Sequence, residues 1–353
     1  MNLKTGPQCL AYFAVLLAVV VAGDRLLTQR LYAQPDRLVP AYRSFNEPSV
    51  GIKLRDLSSA KERFDTLVLG NSRTFSALDP EPFDRRLAAL GVRAESFNLA
   101  MPTVDVRFWP PFLERFYDRA APRDVLLGVI PRDFDARNVV AEQQAKAFEA
   151  SPGFANRDRT AVWKAAEEAL AGLFALRGRG NEIRPRRLLR GRKLDARGFR
   201  LAGDHGWGIF DPSLVLPKPE LATKARLLAQ RSGSSRLRVG ASQLAALARL
   251  DRLVRARGGC LTLFTTPLLY DREPLGTVEV QRDFQRLLRR IAREHPAIGV
   301  VDVGPEVQDR YGLGDFADGD HLSPAGARRF SRELADALAP RLRDRSCGGG
   351  VSR

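Results

Sequence analysis

Two short segments near opposite ends of the chain contain the side chains best suited to nucleophilic chemistry. Ser72 lies in the turn Gly-Asn-Ser-Arg that follows an apolar run, and His321 lies in the loop DGDHLSPAGA. A serine hydroxyl becomes a nucleophile when a base within hydrogen-bond reach accepts its proton. Ser72 could instead simply cap the next helix, because serine is a common N-cap. Ser72 and His321 are therefore candidates for a nucleophile and its base.

Two aspartates lie close to His321 in the sequence, and only one has a spacing suited to orienting it. Asp318 precedes His321 by three positions, which in a turn lets the carboxylate reach the imidazole and fix its tautomer. Asp320 is adjacent to His321, so we expect its side chain to point away. The sequence contains three histidines. His295 closes an amphipathic helix, a routine place for a cation, and His205 lies in an irregular segment.

The elements that must position these residues alternate between strands and helices, which predicts an α/β domain with parallel strand pairing. Ser323 and Pro324 have the residue types of an N-cap and a first helical position. A further helical stretch, 104–119, is interrupted by two prolines. The predicted strands are 64–70, 96–100, 124–130, 260–266 and 298–303, and the predicted helices are 243–256, 280–293 and 324–342.

The alternation is lost between residues 135 and 240. This stretch contains one helical pattern, 160–176, and an arginine-rich run, 177–200. Because an idle loop of this length is improbable, we expect an inserted subdomain or lid that covers the site and selects the acceptor. Trp207, between two glycines, could stack on a sugar or pack locally. The alternative for the insert is a flexible, basic appendage.

The N-terminal segment is apolar. The run from Cys9 to Gly23 has no charge but is slightly short for a membrane span of about 20 residues. We expect residues 1–30 to form an uncleaved anchor, with a cleavable signal peptide as the alternative. We expect a stalk at 31–63, the α/β core at 64–134 and 241–343, and a disordered tail at 344–353.

Composition narrows the class of partners. The 353-residue chain has a net charge of +16, which suits nucleic acid or an anionic membrane or polysaccharide, with a solvated arginine-rich surface as the alternative. No zinc-finger spacing, RNP-type motif or heptad repeat turns that charge into a nucleic-acid module, so we expect no nucleic-acid partner. The three cysteines have neither the pattern of a disulfide framework nor that of a metal site.

The segments GNSR and DGDHLSPAGA together resemble the SGNH (GDSL-like) hydrolase superfamily, and in particular its membrane-anchored, cell-envelope branch. The resemblance covers about residues 64–135 and 240–342. It implies a three-layer α/β/α sandwich around a central parallel sheet. It also implies no cofactor, no metal, and an acyl-enzyme mechanism with Ser72 as nucleophile, His321 as base and Asp318 as the orienting carboxylate.

The family's oxyanion hole uses the N–H of the nucleophile, a glycine after the second strand and an asparagine in a GxND block after the third. Here Ala100 takes the place of the glycine, and IPRD replaces GxND. The expected oxyanion groups are therefore the backbone N–H groups of Ser72 and Ala100, with Asn98, Asn71 or the charge of Arg132 as a further donor. The candidate contacts to substrate are Asn71, Arg73 and Trp207.

The resemblance and the apolar N-terminus together imply a serine-dependent esterase or O-acyltransferase. Its expected substrates are acyl esters, in particular acetyl esters, of a cell-envelope polysaccharide. The expected location is the inner membrane, single-pass, with a periplasmic catalytic domain and a membrane-bound acyl-donor protein as a partner. The alternative is a non-catalytic protein of the same fold that binds carbohydrate or assists assembly in a polysaccharide export system.

Overall fold

A computed structural model describes residues 6–31, 53, 64–116, 122–149, 199–202, 205–210, 217–223, 236–268, 277–303, 310–344, 347 and 351–352. The chain divides into two units. The first consists of Met1–Ile52 and Phe148–Arg197, and the second of Lys53–Ala147 and Gly198–Arg353. The second unit contains all the predicted site residues.

The second unit is built on a parallel sheet. The described strands, in chain order, are β1 (Thr66–Gly70), β2 (Ser96–Asn98), β3 (Asp124–Val129), β4 (Phe199–Ala202), β5 (Trp207–Phe210), β6 (Cys260–Thr265), β7 (Gly299–Val301) and β8 (Val351–Ser352). The sheet has the order β2-β1-β3-β6-β7-β8, and every neighbouring pair is parallel. β4 and β5 form a separate antiparallel pair.

Helices flank the sheet. The described α-helices are α1 (Gly6–Leu31), α2 (Ser72–Ala77), α3 (Pro80–Ala89), α4 (Trp109–Phe116), α5 (Val139–Glu149), α6 (Ala241–Arg255), α7 (Thr277–Glu294) and α8 (Pro324–Asp344). In the second unit, α8 packs against α2 and α3, while α6 packs against α4 and β6. This arrangement confirms the predicted α/β sandwich around a parallel sheet.

The burial of the strands explains why their sequences lack alternation. Every residue of β1, β3 and β6 is buried, as expected for parallel strands with helices on both faces. The predicted strands and helices of the core all appear, with ends shifted by a few residues. The two prolines fall in the first turn of α4, where a missing N–H costs no helical hydrogen bond.

Part of the predicted insert, 135–240, packs directly on the core. β5 contacts α2, and the backbone N–H of Asn98 donates to the carbonyl of His205 at 2.8 Å. The segment from Gly198 onward therefore belongs with the sheet unit. The predicted helix at 160–176, and the arginine-rich run up to residue 198, lie outside the described residues.

The N-terminal helix extends well beyond the uncharged run. α1 contains a segment, Gln8–Arg30, that is long and apolar enough to cross a membrane, a property that a signal sequence shares. Its large apolar side chains, among them Leu10 and Phe13, are exposed. In the predicted stalk, 31–63, the structure describes Lys53. Its buried ammonium group donates to the carbonyls of Asn98 and Ala100.

The C-terminal segment differs from the prediction. Cys260, at the start of β6, forms a disulfide bond with Cys347, although the cysteine pattern gave no indication of a disulfide. β8 pairs with β7, so the described residues of the tail are not disordered as expected. The disulfide joins positions 87 residues apart, and the sequence pattern does not reveal such a pairing.

Candidate active site

Ser72 is the first residue of α2, directly after β1. The turn is capped by Asn71, whose side-chain oxygen accepts a hydrogen bond from the N–H of Arg73 at 2.9 Å. Gly70 has a φ of +148°, which favours glycine. A Cβ at Gly70 or at Gly128 of β3 would collide with the side chain of Thr74. Both glycines are therefore needed for α2 to approach the strand ends this closely.

The site lies where the order of the strands in the sheet reverses direction. The chain runs from β1 outward to β2, and then crosses back to β3 on the other side of β1. The connections that follow β1 and β3 therefore lead to opposite faces of the sheet, and the start of such connections is the usual place for ligands in open parallel sheets. Ser72 follows β1, and the short helix Pro131–Phe134 follows β3.

The loop that carries His321 is held by backbone hydrogen bonds. The N–H of Ala317 donates to the carbonyl of His321 at 2.9 Å, and the N–H of Ser323 donates to the carbonyl of Asp315 at 2.8 Å. The hydroxyl of Ser323 accepts from the N–H of Gly326 at 3.3 Å, which confirms Ser323 as the N-cap of α8. The imidazole is thus fixed between a small hairpin and a helix start.

Ser72, His321 and Asp318 come together from opposite ends of the second unit. The hydroxyl oxygen of Ser72 lies 3.0 Å from Nε2 of His321. Nδ1 of His321 lies 2.9 Å from Oδ1 of Asp318, and that oxygen also accepts the N–H of His321 and of Asp320. The three side chains have the geometry of a Ser-His-Asp triad.

Asp320 does not point away from His321, so that prediction is wrong. Its Oδ1 lies 3.1 Å from Nδ1 of His321. Its Oδ2 accepts a hydrogen bond from the guanidinium of Arg73 at 2.5 Å. Arg73, expected to contact substrate, is buried and holds Asp320 instead. Two carboxylates therefore share the Nδ1 side of the imidazole.

This arrangement sets the charge of the imidazole. Burial by itself would lower the pKa of His321, but the charge of Asp320 and hydrogen bonds to Asp318 and Asp320 raise it to about 9. Burial likewise acts to raise the pKa of Asp320, but the charges of His321 and Arg73 hold it well below its usual range. An imidazolium between two carboxylates is thus the favoured state at neutral pH.

Comparisons with known proteins add little to this geometry. No protein-family model and no curated protein match the sequence. Among solved structures, a lipase/acylhydrolase from Enterococcus faecalis matches 79% of this chain and 97% of its own, at 14% identity and a TM-score of 0.36. Similarity this low carries no weight for fold or activity, so the functional assignment depends on the residues of the site.

Asn71 supports the site and is not placed to contact substrate. Its amide nitrogen donates to both carboxylate oxygens of Asp133, at 2.9 Å and 2.8 Å. Asp133 also accepts the N–H of Ile130 at 2.9 Å. Burial raises the pKa of Asp133 to about 7, against these hydrogen bonds. The pair ties the turn after β1 to the loop after β3. The sequence IPRD contained this aspartate, but its partner was not predicted.

The expected oxyanion groups lie in two kinds of environment: some are buried and already hydrogen-bonded, and others are accessible. The amide nitrogen of Asn98 donates to the carbonyl of Leu78 at 2.7 Å, and its oxygen accepts the N–H of Ala100 at 3.1 Å. Both residues are fully buried, so the expectation that they face an oxyanion is wrong for this structure. Arg132 is exposed at the end of β3. The N–H of Ser72 lies in the first turn of α2, where no helical carbonyl can accept it.

Trp207 packs locally and does not offer a face for a sugar. Its side chain is 8% exposed, and its indole N–H donates to the carbonyl of Ser76 at 3.2 Å. A Cβ at Gly208 would collide with the ring of Phe75. Gly208 therefore permits close packing against α2, and Gly206, where a Cβ would collide with Phe97, permits close packing against β2.

Asp318, Asp320 and His321 also lie close enough together to bind a cation. However, the second ring nitrogen of His321 faces the hydroxyl of Ser72, and Asp320 is already paired with Arg73. A nucleophile paired with a base explains this whole set of contacts, and a metal site does not explain the serine.

Proposed function

We propose that this protein is a serine-dependent esterase or O-acyltransferase. The observation that carries the proposal is the 3.0 Å approach of the Ser72 hydroxyl to Nε2 of His321, with Asp318 2.9 Å from Nδ1. Nucleophile, base and orienting carboxylate are thus in a chain of hydrogen-bond contacts, as acyl transfer by serine requires. Ser72 and His321 are each partly exposed, so an ester can reach them.

The reaction proceeds in two halves. The hydroxyl oxygen of Ser72 attacks the acyl carbon while neutral His321 takes the hydroxyl proton, and the alcohol of the ester leaves with that proton. An acyl group is then held on Ser72. In the second half, water or a sugar hydroxyl attacks the acyl carbon and loses its proton to His321. The bond between the acyl carbon and the Ser72 oxygen then breaks, and His321 returns the proton to that oxygen. Asp318 keeps Nε2 directed at Ser72 and stabilises the imidazolium that forms.

The oxyanion that develops in both halves needs donors that the structure leaves accessible. The N–H of Ser72 belongs to the residue whose hydroxyl attacks the acyl carbon, and Arg132 is exposed in the short helix that follows β3. We assign these two groups to the oxyanion. Ala100 would take part only if its N–H were released from Asn98. Removal of one such donor costs about 10²–10³ in rate in other serine enzymes.

The proposed substrate is an acyl ester, in particular an acetyl ester, of a cell-envelope polysaccharide. This part of the proposal depends on the resemblance of the two sequence motifs to membrane-anchored SGNH hydrolases and on the apolar helix α1. In the same scheme a membrane-bound protein supplies the acyl group when a sugar hydroxyl is the acceptor.

The proposed location is the periplasmic side of the inner membrane. The disulfide between Cys260 and Cys347 supports an oxidising compartment, because disulfides are rare in the cytosol. Alkaline phosphatase fused after Arg353 should be active, since it folds only where disulfides form. An inactive fusion beside an active cytoplasmic reporter would reverse the topology.

The activity is tested with a fluorophosphonate probe and a panel of small acyl esters. The full chain should be labelled and should hydrolyse at least one ester, and Ser72→Ala should lose both properties. Ser76→Ala is the matched control, because Ser76 is a buried serine on the same helix whose hydroxyl donates to the carbonyl of Arg73. Labelling that survives in Ser72→Ala would disprove the assignment.

The second candidate is a non-catalytic carbohydrate-binding or assembly protein. It is favoured by the absence of the GxND asparagine and by the internal hydrogen bonds of Asn71, Asn98 and Ala100, which occupy the groups expected to serve the oxyanion here. A properly folded chain that neither reacts with fluorophosphonate nor cleaves any ester of the panel would support this candidate.

A further inference from the structure

Helix α7 divides into two faces of opposite character. Phe284, Leu287, Leu288 and Ile291 are buried, as expected for apolar residues that recur at helical spacing. The ring of Phe284 lies 6.2 Å from that of Phe134. The other face is rich in arginine and, with the segment before α6, forms a cavity of about 640 Å³. Five arginines line this arginine groove: Arg236, Arg286, Arg289, Arg290 and Arg293.

The arginine groove carries more positive charge than its acidic neighbours offset. Asp283 is its acidic lining residue, and it already accepts the N–H of Leu237 at 3.1 Å and pairs with Arg286. Glu294, at the end of α7, lies 3.7 Å from Arg293 and 3.9 Å from Arg290.

Arg236 lies 4.0 Å from Glu279 and 3.8 Å from Asp283. Arg289 has no ion pair with any described residue, and it is exposed. The side chains of Arg286 and Arg293 are 55% and 76% exposed. The guanidinium groups of Arg286, Arg289 and Arg293 can therefore turn toward a ligand at little cost, because exposed ion pairs are weak.

The spacing of the arginines along α7 suits a ligand with several anionic groups in a row. Arg286, Arg289 or Arg290, and Arg293 recur at three- and four-residue spacing, so they lie on one stripe about 10 Å long. A single small anion would engage only one end of that stripe. Guanidinium groups bind carboxylates and phosphates in a bidentate way, so a linear polymer with repeated anionic groups matches both its length and its chemistry.

The arginine groove is connected to the site through the backbone. Val239, which lines it, forms a bridge with Asp135, and the N–H of Gly240 donates to the carbonyl of Phe134 at 3.0 Å. The preceding residue, Asp133, holds Asn71 beside Ser72. The end of the arginine groove that Val239 lines therefore lies near the edge of the sheet that carries Ser72.

We propose that the arginine groove binds a linear polyanionic glycan, with carboxylate or phosphate groups along its chain, and holds it beside Ser72. This inference rests on the proposed esterase or acyltransferase function and specifies its substrate class. A polymer held along α7 presents successive ester groups at the edge of the sheet, so the arginine groove raises the local concentration of substrate.

The test separates binding from catalysis. Binding is measured by calorimetry on the full chain in neutral detergent. Every protein in this measurement also carries Ser72→Ala, so that no turnover occurs. The probes are polygalacturonate for carboxylate, polyphosphate for phosphate, and neutral dextran. The groove variant combines Arg286→Gln, Arg289→Gln and Arg293→Gln. The matched variant removes three exposed arginines from other surfaces, through Arg93→Gln, Arg252→Gln and Arg332→Gln.

We expect at least one polyanion to bind and dextran not to bind. The groove variant should weaken that binding about tenfold or more, from three lost charge pairs, while the matched variant changes it less than about threefold. Binding should weaken as salt rises. With Ser72 intact, the groove variant should hydrolyse small esters at the wild-type rate and melt at the wild-type temperature.

Two results would overturn the inference: the absence of binding to both polyanions, and equal loss in the groove and matched variants. If neither polymer binds, groove-dependent binding of soluble dihexanoyl phosphatidylglycerol would make this face a membrane contact. Each of these leaves the ester assay unaffected, so failure of the inference is distinguishable from failure of the proposed function.

Discussion

Replacing Asp320 by asparagine should move the pH dependence of Ser72 reactivity toward neutral pH. The Asp320 carboxylate lies 3.1 Å from Nδ1 of His321. Against the effect of burial, it acts with Asp318 to raise the pKa of His321 from 6.5 to about 9. Since only neutral imidazole can accept the proton of Ser72, about one molecule in a hundred is in the reactive form at pH 7. The wild-type acid limb is therefore expected near pH 9.

The size of the effect follows from the neighbours of the imidazole. A pKa raised from 6.5 to about 9 corresponds to about 3 kcal/mol of preference for imidazolium. The charge of Asp320 is the largest of the contributions that raise it. Asp320→Asn leaves Asp318 in place and keeps the side-chain size, so the acid limb should move down by about one pH unit or more. At pH 7 the variant should therefore react about ten times faster than the wild type.

The assay is the rate of fluorophosphonate labelling of the full chain between about pH 6 and pH 10, which reads the ionisation of the base directly. Asp336→Asn serves as the control, because Asp336 pairs with Arg86 on the surface. Asp318→Asn should instead lower the rate at high pH, since it removes the orienting hydrogen bond. An acid limb that stays in place in Asp320→Asn would refute the electrostatic reasoning.

Three further outcomes are expected. Ser72→Ala and His321→Ala should each abolish ester hydrolysis, and the double variant should be no worse, because the two residues act as a unit; additive losses in rate would contradict this. Cys347→Ser should lower the free energy of unfolding by about 2 to 4 kcal/mol in urea titrations, and a reductant that leaves the wild type unchanged would show that the bond to Cys260 does not form. Trp207→Ala should cost about 3 kcal/mol of stability through the cavity it leaves, whereas loss of activity at unchanged stability would restore a substrate contact for Trp207.

The sheet and its helices could be predicted because each element has its own local pattern. Continuous apolar runs such as the one that became β3 are typical of strands buried on both faces. A Ser-Pro pair is enough to set the start of α8, because the cap forms within one turn. Ser72 and His321 could be predicted as site residues because Ser72 follows a strand and His321 precedes a helix. The carboxyl ends of parallel strands lie at one edge of the sheet, where such residues come together.

The hydrogen-bond partners of several buried side chains could be known only from the tertiary structure. Asn71 finds Asp133 at a separation of 62 residues, and Asn98 finds carbonyls of α2 and its end. From the sequence both asparagines looked equally able to face a substrate. An amide takes whichever partners surround it once buried, since an unpaired buried polar group is costly. Trp207 does not face a sugar for the same reason, because its buried indole N–H is paired with the carbonyl of Ser76.

The sequence by itself determined the predicted strands and helices of the core and the serine, histidine and one aspartate of the candidate site, because these depend on spacing within a turn or on the ends of regular elements. Only the tertiary structure decided that Asp320 turns toward His321, that Arg73 holds it there, and that Cys260 meets Cys347. Those contacts join residues 247 and 87 positions apart in two of the three cases. Their geometry is fixed by how the helices pack on the sheet, and no local pattern records that packing.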